Sequence, residues 1–325
     1  MRLHLLAFAL FLCSTLKCVE SQPQRRRPVY GILTIRLCRD NVHHVLPTYV
    51  SWLDRAGADV VAIDSRAPAE TQQKIFSQIN GLILPGANRP GNHYLASMRR
   101  FIRWARESNE QGRHFPIIGV CYGMQRMANI LARKNMLSNF RHQNSTAPMK
   151  LMGHFRDFRS IANLNVAQAN SLQTQDTVFY NHRFGISPQA FTNNRVLNST
   201  FTIVGTAFTP NGAEYVTMYE GRSLPFYGVQ HHPETFRFNN KPGQVNLQAR
   251  RIRAALARFA VAQARKNTHR ARNLVLIQDA NDLVRNGAYI FLGPREPYLL
   301  PKETGNKITI KDCSNLVPYT PLIPV

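Results

Sequence analysis

Gly119-Val120-Cys121-Tyr122-Gly123 lies between the apolar run Phe115-Pro116-Ile117-Ile118 and the segment Met124-Gln125-Arg126-Met127-Ala128-Asn129-Ile130-Leu131, whose apolar residues recur at helical spacing. A Gly-x-Cys-x-Gly between a buried strand and a helix has the shape of a nucleophile elbow. The glycines permit a sharp turn, and the central side chain is held strained and exposed. A helix N-terminus behind a thiol lowers its pKa, and the thiolate is the reactive form. A buried apolar cysteine between chance glycines spells the same five letters, so the reading needs partners elsewhere in the chain.

Downstream, Phe226-Tyr227-Gly228-Val229-Gln230 is a second short apolar run, ended by His231-His232-Pro233-Glu234. Nucleophilic attack by a thiol needs a base within hydrogen-bond reach and a third group to orient that base. Residues i and i+2 of an extended chain share a face, so His232 and Glu234 point together and His231 points away. Pro233 keeps the segment extended. In isolation the four residues read as surface histidines at a strand end; behind a cysteine elbow they read as base and orienting acid. Upstream, Gly81-Leu82-Ile83-Leu84-Pro85-Gly86-Ala87-Asn88 is a strand running into a turn. Acyl transfer at Cys121 requires N–H donors aimed at a developing oxyanion. The turn offers one near Gly86 or Ala87, and the Tyr122 N–H is the natural second.

Short apolar runs alternate with helical patterns through the first half of the chain. The spacing predicts strands over 29–35, 60–63, 82–84 and 117–120, and helices over 45–55, 71–79 and 94–107. Near-continuous apolar strands separated by helices call for a parallel sheet covered on both faces. Catalytic groups of such sheets collect at the carboxyl ends of the strands, where the Pro85 turn, Cys121 and His232 all fall. Residues 135–195 are less periodic and are expected to form loops, short strands and part of a pocket, with the segment from Tyr180 through His182 to Ile186 near the cleft. Alternating runs at 201–208 and 213–219 flank Pro210-Asn211-Gly212, a hairpin signal. A basic helix is expected over 245–264.

These pieces, in this order, resemble the class I glutamine amidotransferase superfamily, and within it the gamma-glutamyl hydrolase family. The carrying residues begin with Arg27-Pro28-Val29-Tyr30-Gly31-Ile32-Leu33 and Tyr49-Val50-Ser51-Trp52-Leu53-Asp54-Arg55-Ala56-Gly57-Ala58. They continue through Leu84-Pro85-Gly86, the Cys121 elbow, Met218-Tyr219-Glu220-Gly221, the stretch from Tyr227 to Glu234, and Ala264-Arg265-Lys266-Asn267-Thr268-His269. The resemblance covers residues 27–270, weakly on to 291, and implies a three-layer αβα fold with a mostly parallel central sheet and an added β-hairpin region. It also implies a cysteine hydrolase of gamma-glutamyl amides, folate polyglutamates above all, working through a thioacyl-enzyme without metal or organic cofactor. In that scheme Cys121 is the nucleophile, His232 the base and Glu234 its orienting acid, with N–H groups at Ala87 and Tyr122 receiving the oxyanion. Gly86, Gln125, His182 and Arg36 are candidate substrate contacts, with Arg89 a further candidate for binding an α-carboxylate bidentately. Two positions depart from the family: Ala87 stands where a second glycine is usual, and His231 where a Trp is usual. Neither removes a catalytic atom.

Met1-Arg2 followed by an apolar run from Leu3 to Leu12 has the form of a secretory leader, too short to span a membrane, with a cut expected near Ser21. The expected division is a signal peptide over 1–21, a catalytic domain over 22–292 and a proline-rich C-terminal extension over 293–325. The expected location is the secretory pathway, ending in secretion or a lysosome. Beyond the leader remain Cys38, Cys121 and Cys313; pairing of Cys38 with Cys313 is the one disulfide that spares the nucleophile. Asn144-Ser145-Thr146 and Asn198-Ser199-Thr200 are glycosylation sequons in stretches expected to be loops.

Forty-one Lys and Arg against 18 Asp and Glu give a net charge of +23, an excess that points to an anionic partner or matrix. Candidate partners are a folate polyglutamate or other gamma-glutamyl substrate, an anionic glycan, and a second copy of the chain in a homodimer. Zinc-ligand spacing and RNA-binding signatures are absent from the sequence, so nucleic-acid binding is not the expected primary role. Two alternatives stay open at this level: a basic binding protein on a degenerate hydrolase fold, and a biosynthetic glutaminase.

Overall fold

The computed structural model describes residues 26–36, 43–87, 91–235, 246–272, 274 and 276–277. The expected leader, Cys38, Cys313, Arg89 and the expected C-terminal extension lie outside this set. Five strands form the parallel part of the main sheet: β1 (Val29–Leu33), β4 (Asp59–Ile63), β5 (Gly81–Leu84), β6 (Ile117–Val120) and β12 (Phe226–Val229). Their order is β4-β1-β5-β6-β12. Three antiparallel strands extend it beyond β12: β11 (Glu214–Gly221), β10 (Phe201–Phe208) and β8 (Lys150–Leu151). Between β1 and β4 the chain also forms the small pair β2 (Ile35–Arg36) and β3 (His43–His44).

Period-two alternation divides the strand side chains between two cores. Tyr30 and Ile32 of β1 pack into one, with α1 (Pro47–Asp54), α5 (Val166–Thr174) and α8 (Leu247–Ala264). Val29 and Leu33 pack into the other, with α2 (Ala69–Phe76), α3 (Asn92–Glu110), α4 (Tyr122–Ala132), α6 (Pro188–Asn193) and α7 (Arg195–Thr200). All five residues of β1 and all four of β5 and β6 are buried, as strands covered on both sides must be. The three-layer αβα arrangement is the one expected. The predicted hairpin is β10–β11, turned at Gly212 with φ +82°, and it widens the main sheet instead of standing apart from it.

Residues 135–195 are more ordered than their composition indicated. A ten-residue strand β7 (Ser138–Ala147) pairs antiparallel with the eight-residue β9 (Val178–Gly185) in a separate two-stranded sheet. Their polar residues face outward while Phe140, His142, Tyr180 and His182 turn inward, an alternation masked by histidines serving as core residues. The two sequons are likewise not in loops. Asn144 sits at an irregularity in β7 with φ +50°, and Asn198 lies on α7; both are exposed.

Candidate active site

The elbow forms where β6 ends. Cys121 has φ +50° and ψ −109° and is followed directly by α4, while its own N–H donates to Val229 O at 2.7 Å. A non-glycine residue there stores on the order of 1–3 kcal/mol of backbone strain, held in place by its surroundings. The flanking glycines do not supply the unusual dihedral, as the motif alone had implied. They supply clearance. A Cβ on Gly119 would meet the Gly123 carbonyl carbon at 2.9 Å, and a Cβ on Gly123 would sit 1.9 Å from Leu84 O. The first turn of α4 is thereby seated on the end of β5.

His232 and Glu234 follow β12. His232 Nδ1 lies 2.8 Å from Glu234 Oε1, and the carboxylate is buried with 3% of its side chain exposed. His232 N donates to Phe179 O at 3.0 Å, and Arg253 Nε on α8 donates to Pro233 O at 2.6 Å, so the turn is pinned from two sides. The ring also faces Cys121. A Cβ placed on Gly86 would be 3.1 Å from His232 Cε1 and 3.2 Å from Cys121 Cβ, which puts thiol and imidazole against the same glycine. Burial opposes a charge on this ring, but Glu234 and the Cys121 sulfur override it and hold the His232 pKa well above its ordinary 6.5. His231, pointing the other way, is buried and packs edge-on to Tyr180. Burial, with His232 beside it, pushes its pKa down to about 3. Adjacent histidines are thus set in opposite charge states.

A pH prediction follows from this division. Replacing Glu234 by Gln removes the charge that keeps the His232 proton, so the His232 pKa falls. The alkaline limb of kcat/KM, where the free enzyme loses that proton, is expected to move toward acid by about one unit or more. An unchanged limb in the pH–rate profile would show that Glu234 does not set the charge of the base.

The turn after β5 is clamped by two tyrosines. Tyr49 Oη accepts the Gly86 N–H at 3.0 Å, and Tyr94 Oη donates to Pro85 O at 2.7 Å. The Gly86 N–H is therefore occupied, whereas among the described residues no acceptor takes the Ala87 N–H. Of the two expected oxyanion donors, Ala87 follows the clamped Gly86 in this turn and Tyr122 opens α4 directly after Cys121. Alanine at 87 is compatible with this, since its φ is not positive.

A family model, glutamine amidotransferase class-I, matches residues 38–248, more than half of the chain and the whole of this arrangement from the β5 turn to Glu234. The chain belongs to the class-I glutamine amidotransferase family. Its relatives include a gamma-glutamyl hydrolase of Mus musculus, 28% identical over 82% of this chain and 87% of that protein. Gamma-glutamyl hydrolase B of Dictyostelium discoideum is 29% identical over 72% and 69%, respectively. Among solved structures, a glutamine amidotransferase from Thermotoga maritima overlaps 65% of this chain and 77% of its own, with TM-score 0.37 and 13% identity.

Strand β9 lies along another side of the site. Asn181 O lies 3.9 Å from Cys121 Sγ. His182 is 4% exposed, not a surface-loop residue, and sits edge-on to Tyr215 with ring centroids 4.8 Å apart. Burial, then the neighbouring His142 and His232, lower its pKa to about 3, so the ring is neutral. His142 stacks on Tyr180 and shares a 2.9 Å hydrogen bond with Tyr215 Oη. Gln125 donates from Nε2 to Phe184 O at 2.6 Å and to Gln230 Oε1 at 3.1 Å. The first bond ties α4 to β9 and the second to the residue after β12, leaving only the Gln125 amide oxygen for a ligand. Arg36 is in β2 opposite His43, and its side chain is outside the described set.

The residues that sequence reasoning missed are supports: Tyr49, Tyr94, Arg253, His142 and Tyr215. Each is a buried polar side chain within a helix or strand pattern, and a buried polar group needs a partner. That requirement was the available signal, but the partners are distant in sequence.

Proposed function

We propose that this chain is a cysteine hydrolase that cleaves gamma-glutamyl amide bonds, with folate polyglutamates as its substrate class. The observation that carries the reading is the convergence of a strained Cys121 at an elbow with a protonated His232 held by buried Glu234. The relatives named gamma-glutamyl hydrolase, aligned over most of this chain, support the gamma-glutamyl bond as the target.

Cys121 Sγ, as thiolate, attacks the side-chain carbonyl of the glutamyl group. The oxyanion forms toward the Ala87 and Tyr122 N–H groups. His232 gives its proton to the departing amine as the C–N bond breaks, leaving a thioester. Water then loses a proton to His232 and displaces the sulfur, returning thiolate and imidazolium. Gly86, Gln125 through its free oxygen, His182 and Arg36 are the proposed substrate contacts.

The test is glutamate release from a folate polyglutamate by the folded, reduced chain beside its Cys121→Ala variant. Release that disappears in the variant is expected, whereas no release by the wild-type chain from acidic to neutral pH overturns the reading. The same reading takes the chain through the secretory pathway with residues 1–21 removed and both sequons glycosylated. Exposure of Asn144 and Asn198 supports it. A loss of apparent mass on N-glycosidase treatment of protein from culture medium is the expected check; an unchanged mass refutes the glycosylation.

A further inference from the structure

Helix α8 has two unlike faces. Its inner face carries Ile252, Leu256, Ala260 and the buried Arg253. Residues 246–272 contain no Asp or Glu, and Arg250, Arg251, Arg258, Arg265, Lys266, Arg270 and Arg272 are all exposed. Among the described residues none of these seven is paired with a carboxylate. The basic face of α3 differs: Arg103 and Arg106 face Glu107 and Glu110 one turn on, at 3.8 and 3.2 Å.

The spacing on α8 is regular. Arg251, Arg258 and Arg265 are seven residues apart, nearly two turns, so they form one row with about 10.5 Å between successive Cα positions. The exposed residues between them on that face are Ala254 and Ala262. The guanidinium groups therefore stand along a low ridge on which an extended chain can lie flat.

We infer that this row is a docking surface for a sulfated linear polysaccharide. Guanidinium groups are weakly hydrated and grip an anion's paired oxygens through their fork of N–H donors, and sulfates recurring along a stiff chain match donors recurring along a helix. The stripe has no exposed aromatic residue on which bases could stack, the usual platform for single-stranded nucleic acid. Leu247, one turn before Arg251, is the one large apolar residue exposed on the helix among the described residues, short of the continuous apolar face that seats a helix in a lipid surface. The site of hydrolysis lies on the other side of α8, so this binding is independent of the proposed activity.

Fluorescence anisotropy of a labelled heparin octasaccharide with the full chain, at physiological salt, tests the inference. Combined Arg251→Gln, Arg258→Gln and Arg265→Gln is expected to weaken binding by at least ~10-fold. Removing the same charge from α3, by Arg99→Gln, Arg103→Gln and Arg106→Gln, is expected to change it by less than ~3-fold. Circular dichroism and Tm check that each variant is folded, and Arg258→Gln alone, expected to cost about 3-fold, serves if the triple variant is not. Equal losses in both triples would reduce the effect to bulk charge and overturn the surface. So would absence of wild-type binding, or tighter binding of duplex DNA lost in the same variant.

Discussion

Cys121→Ala is expected to lower turnover of a gamma-glutamyl substrate by about 10⁴-fold or more while leaving the fold intact. Loss of a nucleophile in a nucleophile–base–acid set costs nearly as much as loss of the whole set, because the other members have nothing to act on. What survives comes from substrate binding and the oxyanion donors. The substitution deletes one sulfur from a side chain that is 8% exposed and keeps the Cβ, so stability is expected to stay within about 1 kcal/mol of wild type. Steady-state release of glutamate, with urea unfolding alongside, reads both quantities. Residual activity above a hundredth of wild type would show that a water attacks directly and that no thioester forms.

Gly123→Ala is expected to act through the backbone, and strongly. The added Cβ would fall 1.9 Å from Leu84 O and 2.6 Å from Leu84 C, main-chain atoms of β5 that no rotamer change can move aside. Either α4 lifts from β5 or β5 shifts against β6, and both neighbours of the elbow are displaced. A loss of about 3 kcal/mol is expected, at the upper end for overpacking a close contact. Because the same helix start carries Tyr122, kcat is expected to fall even where the variant remains folded. A urea midpoint within experimental error of wild type would mean that the close approach of α4 to β5 is absent in solution.

The elbow, the His-Pro-Glu turn and the alternation of strand with helix were legible because their signals are local. Four buried residues in a row, or a glycine on each side of a cysteine, constrain the chain within a few positions. β7 and β9 were not legible as long strands, because their inward residues include His142 and His182, which a hydropathy pattern counts as polar. They are tolerated inside because burial keeps His142 and His182 uncharged and aromatic neighbours surround them. The Tyr49–Gly86 and Arg253–Pro233 bonds were invisible for a different reason: they join residues 37 and 20 positions apart, and only packing of the layers brings them together. The origin of the elbow's strain was likewise misplaced, since a glycine's need for space and its need for positive φ look the same in sequence.

β9 reaches the site through its peptide groups. Its carbonyls at Phe179, Asn181 and Phe184 meet the His232 N–H, the Cys121 thiol and the Gln125 amide. A carbonyl is present whatever residue occupies the position, so the frame that aligns base, nucleophile and helix is insulated from substitution along this strand. Side chains at those positions can then change without shifting the atoms that the strand presents to Cys121, His232 and Gln125. Alignment along these eight residues is carried by the main chain, and sequence can drift there while the geometry stands still.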